Sequence, residues 1–414
     1  MANFPTMKAD ILILGGGVLG LWTLRELRRR DYEAYLIDIA TIGNERSQSG
    51  HALWYLHLGF DNPEKLEDLL SIANLWEPWY RDESSLSGVH FIYHPEEEDL
   101  REEWEEHWKG KGLLEDGVFP EYIGGYELPE EDPAWLSEEL TLALISPECS
   151  LPAKNALELL CRDTDIRPFI SKVQDIKFDT SEPVPPYRLE LLISDQSRLC
   201  VTANTLLLTA GSANVTLTEK LGRPHNLDFE QSDTFTLAIE GPERALPNIA
   251  FVRGDSELHM FAKKRGNRTV WLASKPETNE DKLEAANQLW EELCEVAPWL
   301  EERIGPDFRA GIYRTPRYSF RGGKFSTYID GSKTGGGIYT LNINYLTEAP
   351  FVAQRFVENA AIHKDQSISQ RERELWEAHR DFNEVSSDRW ASELRPWKDF
   401  FDTYLTRETA PGHH

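Results

Sequence analysis

The sequence predicts an α/β protein of two interleaved domains, and three observations lead there. A strand, glycine turn, helix and second strand follow one another between Lys8 and Asp38. Far downstream, a block of short apolar strands (residues 235–239, 249–252, 258–262 and 269–273) has the spacing of an antiparallel sheet. Other apolar runs, at 201–211 and 338–343, are flanked by glycine and read as strands buried on both faces of a parallel sheet. Together these describe a Rossmann-type dinucleotide domain interrupted by an antiparallel-sheet domain.

The opening unit carries most of the information. Residues 9–14 form an apolar run that leads directly into Gly15-Gly16-Gly17-Val18-Leu19-Gly20, a G-x-G-x-x-G. Residues 19–30 continue with helical spacing and no breaker, and 33–37 form a second apolar strand that ends at Asp38. In such a unit Gly15 permits the tight turn, Gly17 lets a pyrophosphate approach the backbone, and Gly20 lets the helix sit close to the strand. The first helical amides, at Val18 and Leu19, offer donors and partial positive charge to phosphate. Asp38, eighteen residues after Gly20, is placed to accept hydrogen bonds from ribose hydroxyls. Its charge would repel a 2′-phosphate, which disfavours NADP. The unit alone does not separate FAD from NAD.

Composition narrows the partners. A net charge of −27 argues against nucleic acid and anionic membrane surfaces. Cys149, Cys161, Cys200 and Cys294 are scattered without zinc spacing, so no metal site is expected and a reduced, cytoplasmic setting is the simplest reading. The first strand starts too early to leave room for a signal peptide. No apolar run approaches the roughly 20 residues of a membrane span.

Along the chain, Pro63 begins a predicted helix with Leu66, Leu69, Leu70, Ala73 and Trp76 on one face. Residues 89–93 read as a strand, and 96–109 as a charged helix with a solvated acidic face. A helix begins near Ser150 and runs to about Arg162. Strands at 166–176 and 187–193 flank a proline-rich turn at 183–186. Helices are expected from Asp281 and over 349–361. Domain boundaries follow: dinucleotide domain at 1–80, 149–221 and 311–363, and substrate domain at 81–148 and 222–310. A helical C-terminal extension, 364–414, is rich in aromatics (Trp376, Phe382, Trp390, Trp397, Phe400, Phe401, Tyr404). It would pack back on the body, or on a second copy or another protein as partner.

These motifs resemble the FAD-dependent oxidoreductases of the D-amino-acid oxidase type. Gln48-Ser49-Gly50-His51 through His57-Leu58-Gly59 is similar to the flavin loop Q-T-G-H-N-S-G-V-I-H-S-G of L-2-hydroxyglutarate oxidase, including the spacing of the two histidines. Ala52-Leu53-Trp54 replaces the small polar residues in its middle. Thr209-Ala210-Gly211 resembles the family's strand-end glycine near the nucleotide. Gly337-Ile338-Tyr339-Thr340-Leu341-Asn342 resembles the C-terminal glycine turn that meets the flavin pyrimidine. The resemblance implies FAD as cofactor. It implies contacts from Gly15, Gly17, Val18, Leu19, Gly20, Asp38, Gln48, Ser49, Gly50, Ala210, Gly211, Gly337, Ile338 and Leu341, with Val173 at the adenine.

Oxidation of an alcohol or amine by a flavin needs the substrate C–H held in place, a proton removed from the adjacent O–H or N–H, and donors for the developing negative charge. His57 is the first candidate for the base, since imidazole titrates near neutral pH. His51 is the second, its bland reading being a brace for the loop. Arg314 and Arg317 lie where the resemblance implies a carboxylate clamp, and a guanidinium fork suits that role. Lys263 and Lys264 read as a solvated turn before Gly266. The resulting expectation is a flavoenzyme that oxidises a small carboxylated alcohol, a 2-hydroxy acid. Alternatives are an amine or amino-acid oxidase of the same fold, or a flavin-binding subunit that works through its C-terminal extension. An NAD-dependent dehydrogenase is the weaker third.

Overall fold

The structure is a computed structural model that describes residues 6–38, 48–51, 54–58, 69–70, 72–81, 86–97, 99, 102, 106, 121, 123–151, 153–162, 173–179, 186–193, 198–221, 228–242, 246–253, 256–275, 281–321, 328–330, 337–343, 346–360, 368–378 and 389–405. Its strands, in chain order, are β1 (Thr6–Leu14), β2 (Ala34–Ile37), β3 (Trp54–Leu56), β4 (Leu86–Tyr93), β5 (Thr141–Leu151), β6 (Val173–Phe178), β7 (Tyr187–Ile193) and β8 (Arg198–Leu208). They continue with β9 (Asp228–Pro242), β10 (Asn248–Arg253), β11 (Ser256–Arg265), β12 (Arg268–Ser274), β13 (Arg309–Arg321), β14 (Tyr328–Asp330), β15 (Ile338–Leu341) and β16 (Arg395–Pro396).

The chain divides into two compact units, each built from three segments. One comprises Met1–Gly50, Lys154–Gln231 and Tyr318–Ser387; the other comprises His51–Ala153, Ser232–Arg317 and Asp388–His414. The first crossing falls after Gly50 rather than at residue 80. The physical reason is that β3 pairs antiparallel with β5, Tyr55 opposite Ser150, and so joins the second sheet.

The first unit holds a sheet in the order β14-β15-β8-β1-β2. β1 runs parallel to both β2 and β8, and β15 runs parallel to the second half of β8, Ile338 opposite Leu206. The first half of β8 pairs instead with β7, and β7 with β6, in an antiparallel meander. The apolar runs expected at 9–14 and 201–211 fall in the central strands β1 and β8, the latter ending at Leu208, with Ile11, Leu12, Ile13, Leu206, Leu207 and Leu208 all buried. Residues 163–172, the first part of the strand expected at 166–176, lie outside the described residues.

The second unit holds a sheet in the order β16-β13-β9-β12-β11-β10-β4-β5-β3. One face packs Leu237, Ile249, Met260, Trp271 and Ile312 against the helix Lys282–Val296, through Ala285, Leu289 and Leu293. Asp281 caps that helix by accepting from the amides of Leu283 and Glu284, as its sequence position predicts. The opposite face carries Val89, Phe91, Ala250, Val252 and Phe261, with Tyr55 against them.

β5 stands where the sequence carried no assigned element, and Pro147 lies inside it. The register accommodates it with a bulge: Ser87 pairs with Cys149 and Val89 with Ser146, so Pro147 and Glu148 together stand opposite Gly88. In the span 96–109 expected as a helix, Pro95–Glu97 form a 3-10 turn and Asp99, Glu102 and Glu106 are α-helical, the other residues from 98 onward lying outside the described residues.

The aromatic C-terminal segment is divided between the two units, and its Trp376, Trp390 and Phe400 rings are buried in the chain. In the first unit Trp376 is 1% exposed, stacks on Tyr35 with ring centroids 4.0 Å apart, and donates from Nε1 to the Lys8 carbonyl at 2.6 Å. Arg373 pairs with Glu33 beside it at 2.7 Å. In the second unit Trp390 and Leu394 cover Ala238, Leu272 and Tyr313, while Trp397 and Phe400 pack on the helix Lys282–Val296. Phe382 lies outside the described residues. No helix among the described residues is long and apolar enough to cross a membrane. Replacing Trp376 with Ala should cost about 3 kcal/mol of stability, read from chemical denaturation, because it removes a fully buried ring and strands its partner.

Candidate functional site

In the first unit, the carboxyl ends of β1, β8 and β15 lie side by side, and in an open parallel sheet that edge forms the ligand crevice. Gly15 has φ +119°, and a Cβ there would come within 2.6 Å of the Ala210 amide nitrogen. A Cβ on Gly20 would lie 2.0 Å from the Gly15 carbonyl oxygen and 2.8 Å from Thr209 Oγ1. Both glycines are therefore required by close backbone packing, and Gly211 adds a left-handed turn at φ +57°. Gly17 caps the helix Val18–Arg29 with its backbone alone, so no side chain of its own covers that helix end.

Three polar side chains organise this edge. Asp38 Oδ2 accepts from the Gly16 amide at 2.6 Å, so the carboxylate expected at the ribose also pins the glycine turn. A carboxylate has about four acceptor positions, which leaves capacity for a diol. Ser49 Oγ accepts from the Val18 amide at 3.0 Å, placing the Gln48–His51 turn over the helix N-terminus with a hydroxyl able to donate to an anionic oxygen. Asn214 was not foreseen. Its Oδ1 accepts from the Ala210 amide at 2.8 Å, and its Nδ2 donates to the Leu341 carbonyl at 3.4 Å and to Asn342 Oδ1 at 3.1 Å. It ties the ends of β8 and β15 together. A buried Asn after a T-A-G strand end is the signal that could have found it.

The register corrects one expectation. Gly337 and Ile338 sit at the amino end of β15, where the Gly337 carbonyl accepts from the Leu206 amide, three residues before Thr209. They lie level with Ile11 and Leu12, partway along β1 and short of the edge where Gly15 and Ala210 stand. Only the far end of that motif, Leu341 and Asn342, reaches the crevice. Asn342 is 5% exposed, and its Nδ2 has no hydrogen-bond partner among the described residues. A buried donor without a partner costs about 1–3 kcal/mol, so a ligand acceptor at this edge fits it. Val173 begins β6, at a pair with Ile193. The side chains of Val173, Gln48 and His51 lie outside the described residues.

In the second unit a buried polar cluster surrounds Glu148, another residue that the sequence reading missed. Glu148 is 0% exposed. Its Oε1 accepts from the Leu58 amide at 2.6 Å and lies 3.1 Å from His57 Nδ1. Its Oε2 accepts from the Tyr55 hydroxyl and from Ser146 Oγ, the latter at 2.9 Å. The Tyr55 ring stacks on Phe261, centroids 4.2 Å apart, and lies near His259. His57, just past the end of β3, is itself 5% exposed.

Two basic-residue expectations are corrected. Lys263 is 1% exposed within β11 and shares a strand face with His259 and Phe261, whereas Lys264 points to solvent. The solvated-turn reading therefore holds only for Lys264. Arg314 is exposed and follows Tyr313, which is buried with Leu272, the cross-strand neighbour of Phe261. Strand alternation puts Arg314 on the other face, with Ala310 and Ile312, away from the Tyr55 and Phe261 side. The backbone of Arg317 continues β13, and its side chain lies outside the described residues.

A family profile described as FAD dependent oxidoreductase (DAO) matches residues 10–345. Among solved structures, the chain is similar to an FAD dependent oxidoreductase from Pseudomonas aeruginosa (TM-score 0.66, 15% identity, covering 94% of this chain and 98% of that one). It is similar to glycine oxidase from Geobacillus kaustophilus (0.61, 16%, 88% and 97%) and to L-amino acid deaminase from Proteus vulgaris (0.60, 13%, 90% and 94%). At these identities the likenesses speak for the fold. A search of curated proteins found no match. The family profile spans both units, and the chain belongs to the DAO family of FAD-dependent oxidoreductases.

Proposed function

We propose that this FAD-dependent oxidoreductase removes hydrogen from the carbon bearing the hydroxyl of a small carboxylated alcohol, a 2-hydroxy acid. The observation that carries the reading is His57, a buried imidazole whose Nδ1 lies against the carboxylate of Glu148. An alcohol must surrender its O–H proton as the C–H bond breaks, whereas an amine can enter as the neutral base and need no such acceptor. A fixed imidazole therefore favours the alcohol. The runner-up is an amine or amino-acid substrate, favoured by the glycine oxidase and L-amino acid deaminase that share the fold.

FAD, when bound, takes up the two electrons and the hydrogen of the C–H bond. The residues that would hold it are those at the carboxyl edge of β1, β8 and β15. Gly15, Gly17 and Gly20 admit the close approach, with the Leu19 amide and the Ser49 hydroxyl, itself held by the Val18 amide, at the helix end for the diphosphate. Asp38 would take the ribose, and Val173 lies in the strand proposed for the adenine. Ala210, Gly211, Leu341 and Asn342 would border the flavin. Gly50 leads into the His51 turn, where His51 braces the loop. His57 Nε2 takes the substrate proton, and Arg317 replaces Arg314 as the proposed partner of the carboxylate. Water exclusion follows from the burial of His57 and Glu148.

His57→Ala should retain FAD while anaerobic flavin reduction by the preferred 2-hydroxy acid slows by about a factor of ten or more, measured by stopped-flow bleaching. An unchanged rate would remove His57 from the reaction. Asn342→Asp keeps the acceptor that Asn214 uses and removes the orphan donor. It should weaken FAD affinity about tenfold in a fluorescence titration, in proportion to the lost hydrogen bond.

A further inference from the structure

We infer that Glu148 is a positioning residue that keeps the His57 ring proton on Nδ1, so that Nε2 is the nitrogen carrying the lone pair. The inference rests on the reading of His57 as the base and supplies what makes it one. A carboxylate held fully out of water persists only where hydrogen-bond donors replace its hydration. Glu148 has such a shell: the Leu58 amide and His57 Nδ1 at one oxygen, the Tyr55 and Ser146 hydroxyls at the other. Both oxygens of Glu148 are already engaged by donors, and a carboxylate offers acceptors only, so its contact with Nδ1 is a hydrogen bond when the ring carries the proton there. A carboxylate on Nδ1 fixes the tautomer and leaves basicity at the other nitrogen.

The backbone supports the same conclusion. Glu148 owes its aim to the bulge in which Pro147 and Glu148 oppose Gly88, itself at φ +87°. Regular alternation would have set a different side chain at this point, and bulges serve to re-aim single residues. The Leu58 amide that Glu148 takes is the first beyond the residues His57 and Leu56 at the end of β3, so one carboxylate both ends the strand and seats the histidine. Other titratable groups on the elements near His57, among the described residues, are these. Tyr55 comes from its own strand, and His259 lies 6.4 Å from the Tyr55 ring. Lys263 shares the β11 face with His259, and the Tyr80 hydroxyl donates to the Leu56 carbonyl at 3.4 Å.

The decisive experiment is 15N NMR of the FAD-loaded protein labelled at histidine, with the His57 signals identified by their loss in His57→Gln. A protonated Nδ1 and an unprotonated Nε2 in the neutral ring are expected. An Nε2–H ring would overturn the inference, and this reading needs no change at Glu148. The second measurement is the pH dependence of anaerobic flavin reduction. Without the neighbouring anion, the imidazolium gives up its proton at lower pH, so Glu148→Gln should move the acid limb down by about one pH unit. Glu148→Asp, which keeps the charge, should leave the limb in place. A slower Glu148→Gln with an unmoved limb would reduce Glu148 to packing. If the Nδ1–H ring is seen yet His57→Ala reduces flavin at the normal rate, the positioning by Glu148 stands and the base reading falls.

Discussion

The first unit depends on a steric constraint, the near contact of three backbones where β1 turns into its helix. The Gly15 carbonyl, the Gly20 Cα and the Thr209–Ala210 peptide converge so closely that side chains at Gly15 and Gly20 have no space. That closeness brings the end of β8 beside the glycine turn and lets Thr209 Oγ1 donate to the Gly15 carbonyl at 2.9 Å. Asn214 then extends the arrangement sideways to β15. The binding edge is thus one mechanically continuous piece, in which the Asp38, Ser49 and Asn214 side chains secure amides of successive loops.

The second unit places its stake on charge rather than on closeness. A carboxylate buried at Glu148 would be costly alone, and the fold surrounds it with donors from β3, from β5 and from the chain just past β3. The helix-covered face of the same sheet is conventionally apolar, and the opposite face mixes Phe261 and Val89 with Lys263, His259 and Glu148. Buried polar groups concentrated on one side of a sheet whose other side is sealed are the mark of a working surface.

Much of the first unit was legible because glycine turns and apolar runs are local signals. The positions of Gly15, Gly17, Gly20 and Asp38 follow from spacing alone, and the structure puts each where the turn needs it. The third glycine motif misled because its residues have the right types but sit at the wrong end of a strand. Only the parallel register with β8 shows that Asn342, not Gly337, reaches the edge. Glu148 was invisible for a related reason. Its strand contains a proline, its partners His57 and Tyr55 lie some ninety residues earlier, and a buried glutamate has no local sequence mark. Lys263 and Arg314 failed by one position each, since strand alternation decides burial and a single residue reverses the side.

The stacking of Trp376 on Tyr35 bears on how such a chain is made. Trp376 seals β1 and β2 from 368 residues further along, at the Lys8 carbonyl, and β16 completes the second sheet from the last tenth of the chain. During synthesis, the βαβ unit therefore emerges long before the ring that covers it, and each compact unit waits for segments beyond residue 370 to close its last strand or cover.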